Sequence, residues 1–204
     1  MLDILMPSDN DLDIPCLDVG MQAPVLLPLA AWGSKSRRNA HNGAWHFYVD
    51  DYRMASVWRN PEIVVVTGCL AATEPNWTIH DDTPAAVAIH QVYRKRWVAR
   101  YWQTRGLRVM VDLNVPEKYR ELNMYGVPDG WTSFATRGYD RRIEALEAEH
   151  SWAIEKSLGK TLSMLVVGGG RKVAEFCRAA AIVHVGYDRA KRVYSCGGKP
   201  IPAL

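Results

Sequence analysis

The sequence predicts an α/β protein of parallel βα repeats, built as a compact or incomplete TIM-like barrel, with an open doubly wound parallel sheet as the alternative. Three observations predict it. Apolar runs alternate with helical patterns in about six βα steps, the signature of a parallel sheet. One such run, "EIVVVTG", is β-branched and apolar throughout, as strands covered on both faces are. Nearly every run also ends in polar residues: Asp50 and Asp51, Thr67, Asp112 and Asn114, Thr136 and Arg137, then Gly168 to Gly170. A parallel barrel gathers all strand C-termini at one functional rim, whereas an open sheet spreads them along a crevice. The polar ends favour the barrel.

The elements follow in order. The segment 1–43 is irregular, with Pro7, Pro15, Pro24 and Pro28, and only "PVLLPLAAW" packs as a short strand. "GSKSRRNAHNG" then reads as a polar, basic loop. "WHFYVDD" is a strand, "YRMASVW" a short helix and "EIVVVTG" a second strand. After a long loop comes the clearest helix, "PAAVAIHQVYRKRWVARYWQTRG", with Thr83 placed to cap it, Pro84 in its first turn and Gly106 at its exit. Strand "LRVMVDLNV", a short irregular helix and strand "GWTSFAT" lead to "DRRIEALEAEHSWAIEKSLG". That helix carries Ile143, Leu146, His150, Ile154 and Leu158 on one stripe, Asp140 as its cap and Gly159 at its end. "LSMLVVGGG", helix "RKVAEFCRAAA" and strand "IVHVGYD" complete the pattern.

At 204 residues the chain reads as a single domain, 1–204. Its 48% hydrophobic and 23% charged residues, with eight tryptophans, exclude a disordered protein. Lys and Arg exceed Asp and Glu by only 25 to 22, so net charge does not identify a nucleic-acid binder. No window approaches the ~18 apolar residues of a membrane span, and the acidic Met1 end is unlike a signal peptide. A cytoplasmic protein without a membrane partner is expected. Cys16, Cys69, Cys177 and Cys196 lie far apart and form no C-x-x-C pair, so buried, reduced thiols are expected rather than zinc or a disulfide framework.

Candidate chemistry lies at the strand ends. Asp50, Asp51, Asp112, Asn114 and Arg137 would meet across a barrel rim as a catalytic set, with Asp50 and Asp112 able to hold Mg²⁺ for phosphoryl chemistry. The structural alternatives are a helix N-cap for Asp51 and an ion pair with Arg53 or Arg137 for Asp50. Gly168, Gly169, Gly170 and Arg171 lack both the dinucleotide G-x-G-x-x-G and the P-loop G-K-[ST]. They still place a glycine turn at a helix start, which binds phosphate through backbone N–H groups or else only supplies positive φ.

The long helix sets Ile89, Tyr93, Trp97 and Tyr101 on a core stripe. Arg94, Lys95, Arg96 and Arg100 then spread over the remaining surface, with Arg37 and Arg38 upstream. Such cations are either solvated or a phosphate-tracking surface for DNA or RNA. The six histidines include no H-x-H or H-E-x-x-H, and no G-x-S-x-G occurs, which removes the familiar hydrolase chemistries.

The strings "FYVDDYRMASVWRNP", "DDTPAAVAIHQVYRKRWVARYWQTRGLRVMVDLNV" and "GVPDGWTSFATRG" resemble the DUF4417 family. Its members carry similar F-x-D-D-Y-R-F, D-x-P, Y-R-x-R-W-x-x-x-x-W-Q and G-x-P-x-G motifs in this order, and the resemblance covers Trp45 to Asp188. Met54 stands where the family has an aromatic residue, a change of packing. The resemblance implies a phage, prophage or plasmid setting and an α/β fold, and no reaction. The residues and the setting together predict a mobile-element accessory protein acting on or beside nucleic acid. One alternative is an enzyme of a small phosphorylated metabolite at the same rim, and another is a structural or host-interaction protein with no site.

Overall fold

A computed structural model describes residues 5–34, 40–188, 193–196 and 199–200. Its strands are β1 (Leu29–Ala31), β2 (Ala44–His46), β3 (Ala71–Thr73), β4 (Arg108–Asp112), β5 (Ser133–Arg137), β6 (Ser163–Val167), β7 (Val183–Asp188), β8 (Val193–Cys196) and β9 (Lys199–Pro200). The helices are α1 (Asp51–Arg59), α2 (Glu62–Val65), α3 (Ala85–Thr104), α4 (Arg120–Met124), α5 (Ile143–Ser157) and α6 (Arg171–Ala179).

Spatial order equals chain order, and β1 to β7 pair parallel before β8 and β9 close the edge as an antiparallel hairpin. A doubly wound sheet reverses its strand order at a switch point. None occurs here. The sheet winds in one direction and curls into a half barrel, the incomplete TIM-like form.

Alternation along the strands gives the half barrel two cores. On the helix side, Trp45, Phe47, Val109, Val111, Phe134 and Val166 pack with Trp97, Trp102, Leu146 and Val173 from the helices. On the concave side lie Ala44, Ala71, Met110, Ala135, Leu165 and Val167. The alanines there leave room for backbone, and the irregular N-terminal segment fills it. Ala23 N donates to Val109 O at 3.0 Å, Ser133 Oγ donates to Ala23 O at 2.5 Å, and Val25 and Leu26 pack on the cluster. Gln103 holds the same segment from α3, accepting from Asp18 N at 2.8 Å and donating to Asp18 O at 3.0 Å.

Four local expectations are corrected. The apolar run "EIVVVTG" is helical over Glu62–Val65, because Pro61 sits at φ −66° and ψ −18°, the backbone that opens a helix, and Thr67 Oγ1 bonds back to Val64 O at 2.7 Å. The third strand is instead "AAT", three small residues inside what the sequence reads as loop. Thr83 does not cap α3. Pro84 takes the cap position with extended backbone, while Thr83 Oγ1 accepts from His80 N at 2.8 Å.

The stripe on α5 is also rotated. Leu146, Glu149, Trp152, Ala153 and Ser157 are buried, whereas Ile154 and Leu158 are 50% and 67% exposed. Leu158 ends the helix at φ +51°, which swings it out of the stripe. Asp140 caps α6 and not α5, because the α5 start at Arg142 is followed by no bond to that carboxylate. Its Oδ1 reaches Gly170 N at 2.7 Å and Val173 N at 3.3 Å.

Candidate functional site

The ends of β2 to β5 open into a polar cleft of about 610 Å³ at the C-terminal rim of the sheet. Asp50 enters from β2, Asn76, His80, Asp81 and Asp82 from the loop after β3, Asn114 from β4, and Arg137, Tyr139 and Arg142 from β5. Parallel winding is the cause: each strand delivers its outgoing loop to the same end.

Of the expected catalytic set, Asp50, Asn114 and Arg137 share this cleft, and Asp51 and Asp112 support it from behind. Asp50 is exposed and lies 3.9 Å from Arg53. Asp51 holds the loop after β3, accepting from Thr78 N at 3.2 Å and from Thr78 Oγ1 at 2.9 Å. Asp112 is fully buried beneath the cleft. Its Oδ2 accepts from Lys95 Nζ and from Asn76 Nδ2, each at 3.0 Å, and its Oδ1 accepts from Asn114 N at 3.1 Å. Asn114 Nδ2 donates to Asn76 Oδ1 at 3.1 Å, so the two amides form a floor pinned from below.

This donor set does not fit Mg²⁺. The carboxylate of Asp112 is already engaged by three donors, and among the described residues no group of three or more His, Cys, Asp or Glu side chains is placed to hold a metal ion. The expectation of Asp50 and Asp112 as joint ligands is therefore corrected: one is at the surface, the other beneath the floor.

The basic helix turns inward. Lys95 and Arg96 are 2% and 0% exposed, because α3 is wrapped by β4, α1, α4 and the N-terminal segment. Arg96 is paired with Glu74 and also donates to Asn123 O at 2.6 Å and to Tyr125 O at 3.1 Å. Glu74 accepts in turn from Asp112 N at 3.1 Å. Burial pushes the Glu74 carboxyl up and the Arg96 guanidinium down, against their mutual attraction. Arg94 is half-buried, its Cζ 4.0 Å over the Trp77 ring and 5.3 Å from that of Trp58. Arg100 lies 3.7 Å from Asp18. The expected phosphate-tracking surface on α3 thus loses Lys95 and Arg96 to interior pairs. Arg37 and Arg38 lie outside the described residues.

The glycine turn already holds a carboxylate. Gly168 and Gly169 adopt φ +84° and +80°, Gly168 N donates to Val185 O, and Gly170 N is taken by Asp140. Those N–H groups hold the Asp140 carboxyl below its usual range. Arg171 is 88% exposed, 3.6 Å from Glu175, and no residue of the turn lines the cleft.

Several residues of the site were not legible as such. Asn76, His80, Asp81, Asp82, Tyr139 and Arg142 sit in loops without a recognisable spacing, and only the excess of polar residues after each strand marks them. On the concave face below Arg137, His46 and Tyr48 stack with ring centroids 6.0 Å apart, both buried. Burial first, then the Arg137 charge, pulls the His46 imidazole down to about 3. Burial, then the Asp112 carboxylate, pushes the Tyr48 phenol well above its ordinary value. Behind β5, Glu149 accepts from Thr136 Oγ1 at 2.6 Å, and burial raises its carboxyl to about 8.

Fold and site define a class: an α/β half barrel with one polar cleft at the C-terminal rim of its parallel strands. Within that class the chain belongs to DUF4417, a domain of unknown function, whose family model matches residues 6–166. It is similar to the Gene 1 protein of Mycobacterium phage D29, 34% identical over 177 residues that cover 83% of this chain and 64% of that protein. It is likewise similar to the Gene 1 protein of Mycobacterium phage L5, 37% identical over 87 residues, 40% of this chain and 38% of that protein. The chain spans less than two thirds of the length of either relative. No solved structure matches it. Phage-encoded relatives agree with the mobile-element setting. Among the described residues no helix is long and apolar enough to cross a membrane.

Proposed function

We propose that the rim cleft binds a small phosphate-bearing molecule, with Arg137 and Arg142 as the groups that hold the phosphate. One observation carries the reading. Arg137 Cζ and Arg142 Cζ rest 5.2 and 5.9 Å from the centroid of the same Tyr139 ring, inside a concave polar cleft, and neither has a carboxylate within ion-pair distance among the described residues. Arg96, Arg100, Arg105 and Arg120, by contrast, each have an acidic partner. Two guanidiniums beside one aromatic ring, each a planar fork of N–H donors without a carboxylate partner among the described residues, suit phosphate oxygens.

A role on or beside nucleic acid keeps support from the phage relatives and from the exposed rim cations Arg137, Arg141, Arg142, Arg171 and Lys172. It loses the support of α3. Thermal unfolding of the full chain separates the readings. Inorganic phosphate or a simple phosphate ester is expected to raise Tm, because a ligand bound only by the native state stabilises it by mass action, and Arg137→Ala or Arg142→Ala should abolish the gain. An absent phosphate effect, or one indifferent to both substitutions, overturns the proposal. Arg137-dependent binding of a single-stranded oligonucleotide without any effect of phosphate favours the nucleic-acid role instead.

A further inference from the structure

The cleft has two chemically opposite ends. Arg137 and Arg142 stand at the β5 end, and Asp50, Asp81 and Asp82 line the part built from β2 and the loop after β3. Among the described residues Asp81 and Asp82 make no side-chain hydrogen bond or ion pair, and Asp50 has only the 3.9 Å contact to Arg53. The amide floor lies between. Asn76 uses its Oδ1 on Asn114 and its Nδ2 on Asp112, while Asn114 Oδ1 accepts no hydrogen bond among the described residues. Away from the arginines, three of the groups left for a ligand are therefore carboxylates, with the His80 imidazole and the Asn114 amide oxygen beside them.

A free phosphate satisfies only the cationic end. Leaving the rest of a cleft of about 610 Å³ to bare carboxylates would place like charges beside the bound anion with nothing to offset them. A ligand with hydroxyl donors at its far end resolves this, because a carboxylate accepts well from a sugar diol, as acidic residues do toward ribose in nucleotide sites. The volume lies within the ~300–1,000 Å³ of sites that enclose a small organic ligand. From this division we infer that the cleft selects a phosphorylated polyol, with the phosphate on Arg137 and Arg142 and the hydroxyls on Asp81, Asp82 and Asn114. The inference rests on the phosphate reading above and adds the identity of the other end.

Calorimetric titration of the full chain with inorganic phosphate, ribose 5-phosphate and ribose tests it. Ribose 5-phosphate is expected to bind about tenfold or more tightly than phosphate, a difference of about 1.4 kcal/mol that one added hydrogen bond to a charged group supplies. Asp81→Asn with Asp82→Asn should bring ribose 5-phosphate down toward phosphate and leave phosphate binding intact. Asp82→Asn alone serves if the double variant does not fold. Equal affinity for phosphate and ribose 5-phosphate overturns the polyol inference and leaves the phosphate reading standing. Binding of neither, or of ribose as tightly as its phosphate, overturns both.

Discussion

Lys95 Nζ lies 3.0 Å from Asp112 Oδ2 with both side chains buried, and the same ammonium donates to the Asp112 carbonyl at 3.0 Å. The pair ties the middle of α3 to the end of β4, and through Asn76 and Asn114 it fixes the floor of the cleft. A cationic residue expected at the surface is thus part of the support of the site. Removing one member of such a pair strands a buried charge, which costs about 3–5 kcal/mol, while replacing both often costs far less. Lys95→Met should lower the free energy of unfolding in urea by that amount, and Lys95→Met with Asp112→Asn should recover most of it. Equal losses for the single and double variants would show that the charge is not what matters.

Two buried titrating groups set opposite pH slopes. The His46 imidazole falls from 6.5 to about 3 on folding, so its contribution is fully present above 6.5 and is lost as pH falls through 3. The Glu149 carboxyl rises from 4.5 to about 8, so its contribution is fully present below 4.5 and is lost as pH rises through 8. Between 4.5 and 6.5 the slopes of these two groups oppose and cancel each other. Above 6.5 the His46 slope no longer offsets that of Glu149, which contributes at most about 1.4 kcal/mol per pH unit. Glu149→Gln should therefore flatten the fall of Tm between neutral pH and pH 8, and an unchanged profile would discard Glu149 as its source.

The parallel winding was legible because periodicity and strand-end polarity both depend on local residue type. The register of the cleft was not. Glu62–Val65 carries a strand-like composition, yet Pro61 and Thr67 close it as a helical turn, and the real strand is too short and too small in side chain to show a period. The fate of the α3 cations depended on tertiary wrapping: Arg94, Lys95 and Arg96 are consecutive, and only the partners Trp77, Asp112 and Glu74, brought from other loops and strands, decide that they turn inward. Asp50, Asn114 and Arg137 were found from the rule that polar strand ends meet. Asp112 obeys that rule in position, but its side chain is engaged from below.

Arg94 is held by aromatic faces, with its Cζ 4.0 Å over Trp77 and 5.3 Å from Trp58, and its Nη1 donates to Gln91 Oε1 at 2.8 Å. A half-buried guanidinium over an indole contributes about 1–2 kcal/mol. Arg94→Ala should destabilise the fold by about that much and shift the tryptophan emission, since Trp77 loses its cover. Arg94→Lys should recover only part, because an ammonium lacks the planar stacking surface. Full recovery by lysine would mean that charge alone is what Trp77 requires.

The glycine turn before α6 yields a coupling test. Asp140 Oδ1 accepts from Gly170 N at 2.7 Å, and a Cβ at Gly170 would stand 2.4 Å from Asp140 Oδ2. The same carboxylate thus caps the helix and forbids a side chain at the residue it caps. Asp140→Ala removes the cap and should cost about 0.5–2 kcal/mol, the usual loss at a helix N-terminus. The three atoms nearest to a Cβ at Gly170 all belong to the Asp140 side chain, so the contact with that carboxylate is what an alanine there meets first. Gly170→Ala should then destabilise the wild type but cost little when Asp140 is already alanine, giving a double-mutant cycle with a coupling energy of about 1 kcal/mol or more. Gly169→Val is different: it combines φ +80° with a contact of 2.6 Å to Val173, so its cost should be the same in both backgrounds. Additive losses for Gly170→Ala and Asp140→Ala in urea unfolding would show that Asp140 does not occupy the turn in solution.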